Sequence, residues 1–234
     1  MLTAIFKQNQ LTVRSVLGTL AVTAFVVVAG CKSNGSTQTY STPRADDEIF
    51  AKSAERPPNA DTLFRMAKIL AAQHKDDQCE AVCRNCIQRY PQYMPAYAEL
   101  AQLQVRQRKV GAAIDTLKDG LTLQPKDAVL LNDLGMCHML AGDFQAALAQ
   151  FRAASEADPD NARYTANMAM ANGMLGQYDE ALALYQKVTK PGPAHYNVAV
   201  VAEARNDSAK ADEEYAAALA LDHNCQRKDR NGKK

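Results

Sequence analysis

The 234-residue chain has no tryptophan, and aromatic residues make up only 6% of it. That scarcity argues against a strand-rich core, because pleated surfaces favour aromatic and β-branched side chains. A predominance of one charge sign is also missing. Lysine plus arginine number 27 against 26 aspartate plus glutamate, a formal net charge of +1, which gives no broad electropositive face for nucleic acid. No glycine-rich phosphate loop and no G-x-S-x-G turn occurs, so the familiar nucleotide-binding and hydrolase signatures are absent. The main apolar run, Ser15 to Val28, has 14 residues, short of the ~20 needed to span a bilayer. What the chain does have is alanine, leucine and glutamine, all good helix formers. Its apolar fraction of 47% is ample for the core of one or two domains.

Lys7 and Arg14 are the only charges in the first thirty residues. A basic start, a short apolar run and small residues before a cysteine predict a secretory signal peptide over residues 1–30. The ending Val28-Ala29-Gly30-Cys31 resembles the bacterial lipobox. That resemblance implies cleavage before Cys31, lipid attached to Cys31, and a protein anchored in the bacterial cell envelope. Lys32 follows the cysteine, and in lipoproteins of this type that implies outer-membrane sorting, with the chain facing the periplasm. Acyl chains hold firmly, at about 0.8 kcal/mol per buried CH₂. Residues 31–59 then read as a tether. Ser33 to Thr39 is small and polar and cannot bury surface; Ala45 to Ala54 is expected as one short helix, and Pro57-Pro58 closes the stretch.

Beyond the tether, position after position recurs at an interval of 34 residues. Pro91, Pro125, Pro159 and Pro193 share that spacing. Leu63, Tyr97, Leu131 and Thr165 fall into one column, and Met66, Leu100, Leu134 and Met168 into another. Small residues recur at Ala67, Ala101, Gly135 and Ala169, and again at Cys79, Ala113, Ala147 and Ala181. Large ones follow at Cys83, Leu117, Phe151 and Tyr185. A fifth copy, offset by four residues, carries Val198, Ala199, Ala211, Tyr215 and Ala218. Units of this length that cannot bury their own faces are stable only as a stack.

The columns resemble the tetratricopeptide repeat: large-x₂-Leu-Gly/Ala, then Ala-x₃-aromatic, then proline. The resemblance covers Ala60 to about Leu221 and implies an all-α fold, a right-handed α–α superhelix of about five helix pairs. Repeats are expected over about 60–93, 94–127, 128–161, 162–191 and 192–222, with a basic tail over 223–234. Gly142-Asp143 and Gly176-Gln177 mark turns between paired helices. The family's first helices line a concave groove in which peptides bind. Carried over residue by residue, that groove is expected to hold Phe64, Lys68, Gln102, Val105, Arg106, Asn132, Met136, Met139, Met170, Met174, Tyr196 and Val200. Its centre is therefore expected to be rich in methionine, which adapts to irregular apolar partners. Asn167 and Asn197 fall where family members use asparagine to bond a peptide backbone; Arg65, Glu99 and Asp133 stand there in the other repeats. Phe64 and Lys68 depart from the Lys and Asn pairing of the carboxylate-clamp subclass. Where the family has tyrosine in its first helix, Gln104, His138 and Asn172 form a polar column, expected to bond between repeats.

Chemistry-bearing residues are scattered. Cys79, Cys83 and Cys86 have the C-x₃-C-x₂-C spacing of radical-SAM iron–sulfur ligands. In this register they share one helix face at small and groove-filling positions, where cysteine acts as a small hydrophobe. A thiol- or metal-handling role for these three is the rival reading. Cys137 and Cys225 complete the set, and His74, His138, His195 and His223 lie in different repeats. The sequence therefore predicts a non-enzymatic scaffold for other envelope proteins or peptides. No cofactor, small-molecule substrate or nucleic acid is expected.

Overall fold

The structure, a computed structural model, describes residues 58–225. The signal peptide, Cys31, nearly all of the tether and the tail beyond Cys225 lie outside the described residues. Those described form ten helices in five pairs, with no strand among them. They are α1 Ala60–Ala72, α2 Asp76–Arg89, α3 Met94–Arg106, α4 Val110–Leu123, α5 Ala128–Ala141, α6 Phe144–Ala157, α7 Ala162–Met174, α8 Tyr178–Val188, α9 Pro191–Ala204 and α10 Ser208–Leu221.

Side-chain caps set half of the starts. The side chains of Asn59, Asp127, Asp143, Asn161 and Asp207 accept hydrogen bonds from backbone N–H groups in the first turns of α1, α5, α6, α7 and α10. Each such cap contributes about 1 kcal/mol. Within every pair the reversal follows one plan. The chain passes through a single left-handed residue: His74, Arg108, Gly142, Gly176 or Asn206, with φ of 57°, 63°, 80°, 85° and 65°. The next residue's N–H returns to the carbonyl five positions back, as from Asp143 to His138 at 2.9 Å and from Lys109 to Gln104 at 2.8 Å. This is the Schellman closure of a helix end. Glycine takes the left-handed region freely, whereas His74 and Arg108 hold it at a cost of about 1–2 kcal/mol.

The columns of small residues are where the paired helices touch. Ala113, Ala147 and Ala181 are fully buried, as are Leu117 and Phe151 one turn further on. Gly135 lets α5 approach α6 so closely that a Cβ there would lie 2.6 Å from the Phe151 ring. Cys79, Cys83 and Cys86 fill the corresponding places in α2, with Cys79 and Cys83 in one cluster beside Ala67, Leu70, Leu100 and Leu103.

One recurring position departs from its column, and one expectation is corrected. Pro91, Pro125 and Pro159 lie in turns after a second helix, but Pro193 lies in the first turn of α9, which begins at Pro191. Helix α8 has 11 residues where α2, α4, α6 and α10 have 14. The turn after it is cut to Thr189 and Lys190, so the prolyl ring, tolerated in a first helical turn, falls inside the helix. Nor does the Gln104, His138, Asn172 column tie neighbouring repeats together. Gln104 accepts from the Thr116 hydroxyl at 2.9 Å, within its own pair. His138 faces Asp143 at 3.8 Å, across the turn that follows it.

Candidate functional site

In three of the four successive pairs the first helices pack on one another: α1 on α3, α3 on α5, and α7 on α9. No two second helices meet to a comparable extent. First helices thus form the tighter, inner wall of the stack and second helices the outer one. The groove side chains singled out from sequence all lie on first helices, and the structure sorts them into three groups.

The first group is joined into a polar chain across the inner wall. Lys68 of α1 pairs with Glu99 of α3 at 3.6 Å. The Gln102 amide donates to Asp133 of α5 at 3.4 Å, and Asn132 donates to the other oxygen of Asp133 at 3.2 Å. Asn167 of α7 donates in turn to the Asn132 amide oxygen at 2.6 Å. Four consecutive first helices are thereby linked by side chains one repeat apart. Asp133 accepts two of these bonds and Glu99 takes the Lys68 ammonium alone, in a column the repeat register marks but whose role needs the structure. Glu99 is buried while its partner ammonium is largely exposed. Burial holds the Asp133 carboxyl above its ordinary range, and the Gln102 and Asn132 amides pull it partly back. Hydrogen bonds to the ionised form are what make such a buried acid tolerable.

Beside this chain, between α1, α3 and α5, lies a hollow of about 230 Å³ lined by Phe64, Lys68, Ala98, Glu99, Gln102 and Val129, among others. Val129 is 48% exposed. The Lys68 ammonium stands 5.9 Å above the Phe64 ring, and that ring meets Tyr93 edge-on. The hollow therefore offers apolar wall on one side and a cation, a carboxylate and an amide on the other. That mix suits a peptide carrying both an apolar side chain and polar backbone. Arg106 is exposed at the last turn of α3.

The second group is core. Met139 and Met174 are buried in one cluster with Phe151, Ala171 and Val201, and Met136 and Met170 are half-buried and packed against that cluster. A groove floor of exposed thioethers is thus not what the structure holds. Met139 of α5 and Met174 of α7 turn instead into the cluster they share with Phe151 of α6 and Val201 of α9. The third group lies at the C-terminal end. Tyr196 is half-buried and stacks edge-on with Tyr215 at 5.5 Å, and Asn197 is half-buried on the same helix. Next to them the buried Glu214 carboxylate takes His195 at 2.6 Å and Lys210 at 2.9 Å.

The cysteines sit in apolar surroundings. Burial pushes the thiols of Cys79, Cys83 and Cys86 up, and that of Cys137 up to about 12. Thiols held in that form are poor nucleophiles. Among the described residues, no group of three or more histidine, cysteine or acidic side chains is placed to hold a metal ion.

Known proteins resemble this chain in the same terms. It is 24% identical over 142 residues to the protein O-mannosyl-transferase TMTC1 of Mus musculus, 59% of this chain but 15% of that one. The chain thus spans under a fifth of that relative's length. Among solved structures, MamA superposes with a TM-score of 0.57 at 16% identity, over 70% of this chain and 92% of that one. YrrB, described as a TPR protein with an unusual peptide-binding site, gives a TM-score of 0.56 at 20% identity, over 78% and 95%. At such identities the likeness is one of fold. Three models of the tetratricopeptide repeat match residues 61–93, 98–162 and 138–201. Together these matches take in more than half of the chain, which belongs to the tetratricopeptide-repeat family.

Proposed function

We propose that this protein is an adaptor that holds a segment of a partner protein against the inner wall of its first three repeats and carries out no reaction itself. The observation that carries this reading is the hollow at Phe64, Lys68, Glu99, Gln102 and Val129, continued by the polar chain through Asp133, Asn132 and Asn167. An extended or helical segment lying there would set an apolar side chain against Phe64 and Val129 and bond its backbone to the Gln102 and Asn167 amides. The peptide-binding site ascribed to YrrB, a neighbour in fold, is consistent with that use. The leader sequence supports an envelope setting, with Cys31 as the lipid-bearing residue and the stack displayed from the membrane, where it would help assemble a pilus, a secretion apparatus or another envelope complex.

The test is crosslinking in the native envelope with the full chain, comparing wild type with a Lys68→Ala, Val129→Asp double variant. Both side chains are about half exposed or more, so helicity is expected to be kept, while loss of the Lys68 partner of the buried Glu99 carboxylate is expected to lower the thermal midpoint somewhat. Capture of the partner is expected to fall about tenfold or more, as for loss of one apolar anchor and one ion contact. Undiminished capture by a folded double variant would place the partner elsewhere.

A further inference from the structure

Within the hollow, Glu99 is the group whose bonding is incomplete. Its side chain is 6% exposed, whereas that of Lys68, its counter-ion, is 58% exposed. The two stand 3.6 Å apart, longer than an N–H···O hydrogen bond. Asp133 one repeat on takes the Gln102 and Asn132 amides; no donor among the described residues hydrogen-bonds the Glu99 carboxylate in that way. A carboxylate so deep is costly to leave without donors. Glu99 lines the hollow, so its hydrogen bonds come from whatever fills that space: water while the hollow is open, and the partner once water is expelled.

Three kinds of surface converge there. Phe64 and Val129 supply apolar wall, and the Lys68 ammonium, 5.9 Å from the Phe64 ring centroid, supplies a cation. Glu99 supplies an acceptor in need of a donor. An aliphatic side chain of a partner covers the wall but strips water from Glu99 and returns no donor, which is unfavourable. A carboxylate is repelled by Glu99. An ammonium or guanidinium has to share one acid with Lys68 and repels it. Serine, threonine and asparagine bring a donor but leave the wall uncovered. A ring with an O–H or N–H at its edge meets all three requirements, since its faces are apolar, its π-cloud attracts the ammonium and its edge donates.

On the reading of the hollow as the partner's seat, we infer that the anchor of the bound segment is a tyrosine or tryptophan side chain. Its ring lies against Phe64 and Val129 beside the Lys68 ammonium, and its O–H or N–H donates to Glu99. Glu99 is then the residue that sets specificity, because it separates rings that carry a donor from those that do not. Lys68 acts twice, as counter-ion to the acid and as cation to the ring. Amphipathic aromatic anchors in water-excluding pockets carry much of the affinity of protein interfaces.

The experiment titrates the isotope-labelled full chain with the N-acetyl amides of tyrosine, tryptophan, O-methyltyrosine, phenylalanine and leucine, read by NMR at the backbone amides of Ala98 and Gln102. The tyrosine and tryptophan derivatives are expected to shift these signals and to bind about tenfold or more tighter than the other three, which lack the donor. Glu99→Leu, if folded by circular dichroism, is expected to bind the tyrosine and phenylalanine derivatives equally; the ligand series on wild type stands without it. Equal affinity of wild type for tyrosine, phenylalanine and leucine derivatives would overturn the inference, as would shifts from the tyrosine derivative confined to residues outside the hollow. Crosslinking in the native envelope separates the anchor from the seat. Glu99→Leu is expected to lower partner capture about tenfold. Capture kept by Glu99→Leu but lost by the Lys68→Ala, Val129→Asp variant would overturn the anchor and leave the seat, whereas capture kept by both would overturn the seat and the anchor with it.

Discussion

The inner wall differs between its two halves although the repeat plan is the same in both. Between α1, α3 and α5 it keeps a hollow, edged by Phe64, Lys68, Glu99, Gln102 and Val129. Towards the C-terminus the wall closes up, because Met136, Met168 and Met170 pack against a cluster of Met139, Met174, Phe151 and Val201. Repeat position alone does not decide which first-helix residues face a ligand. The size of the residue opposite does: methionine is long and unbranched and fills whatever gap its neighbours leave, whereas Ala98 beside Gln102 leaves space.

If that contrast holds, substitutions in the closed half cost stability and those in the open half cost binding. The largest effect is expected for Met139→Ala. Its side chain is buried in the closed half, and truncation is expected to lower the unfolding free energy by about 2–4 kcal/mol in urea titration. A loss under about 1 kcal/mol would mean that the closed half is looser than the packing indicates. The matched turns sharpen the comparison at a smaller scale. Arg108 ends the first helix of repeat two and Gly142 that of repeat three, in the same left-handed conformation. Arg108→Gly is expected to raise stability by up to about 1 kcal/mol, and Gly142→Ala to lower it by about 1 kcal/mol. Equal signs in thermal unfolding would show that something other than backbone strain governs this position.

The smallest effect concerns Asp133, where the polar chain enters the closed half. Its carboxyl is held above the ordinary value, chiefly by burial. The folded protein therefore binds this proton at a pH where the unfolded chain does not. Stability from this group rises as pH falls from above its folded pKa towards the ordinary carboxylate range, the reverse of an ion-paired acid. Asp133→Asn keeps an acceptor for one neighbouring amide and removes the titration. The difference in unfolding free energy between wild type and variant is expected to shift in favour of wild type on acidification. A pH-independent difference would show that the carboxyl titrates normally.

The stack itself was legible in the residues, because a 34-residue recurrence of small, large and proline positions has few physical solutions other than stacked helix pairs. Its departures were less so. Gly142 and Gly176 announced two of the five reversals, but His74, Arg108 and Asn206 take the same conformation under closure by the surrounding repeat, which a residue-by-residue preference does not register. Pro193 kept its numerical interval while α8 lost a turn, so spacing pointed to a boundary that had moved. In the candidate site, Lys68, Gln102, Asn132 and Asn167 are marked by position, yet the acids that hold three of them, Glu99 on Lys68 and Asp133 on Gln102 and Asn132, stand only as replacements for asparagine. Met139 and Met174 stand at ligand-facing positions of the family register, but repeats three and four close over them in a cluster with Phe151, Ala171 and Val201. Periodicity within one helix carries no record of that closure.

The cysteine-lined second helix of repeat one gives the molecule an internal clock. Sealed thiols cannot meet an alkylating reagent while α1, α2 and α3 stay together, so the rate at which Cys79 and Cys83 become labelled reports how often the N-terminal end of the array breathes open.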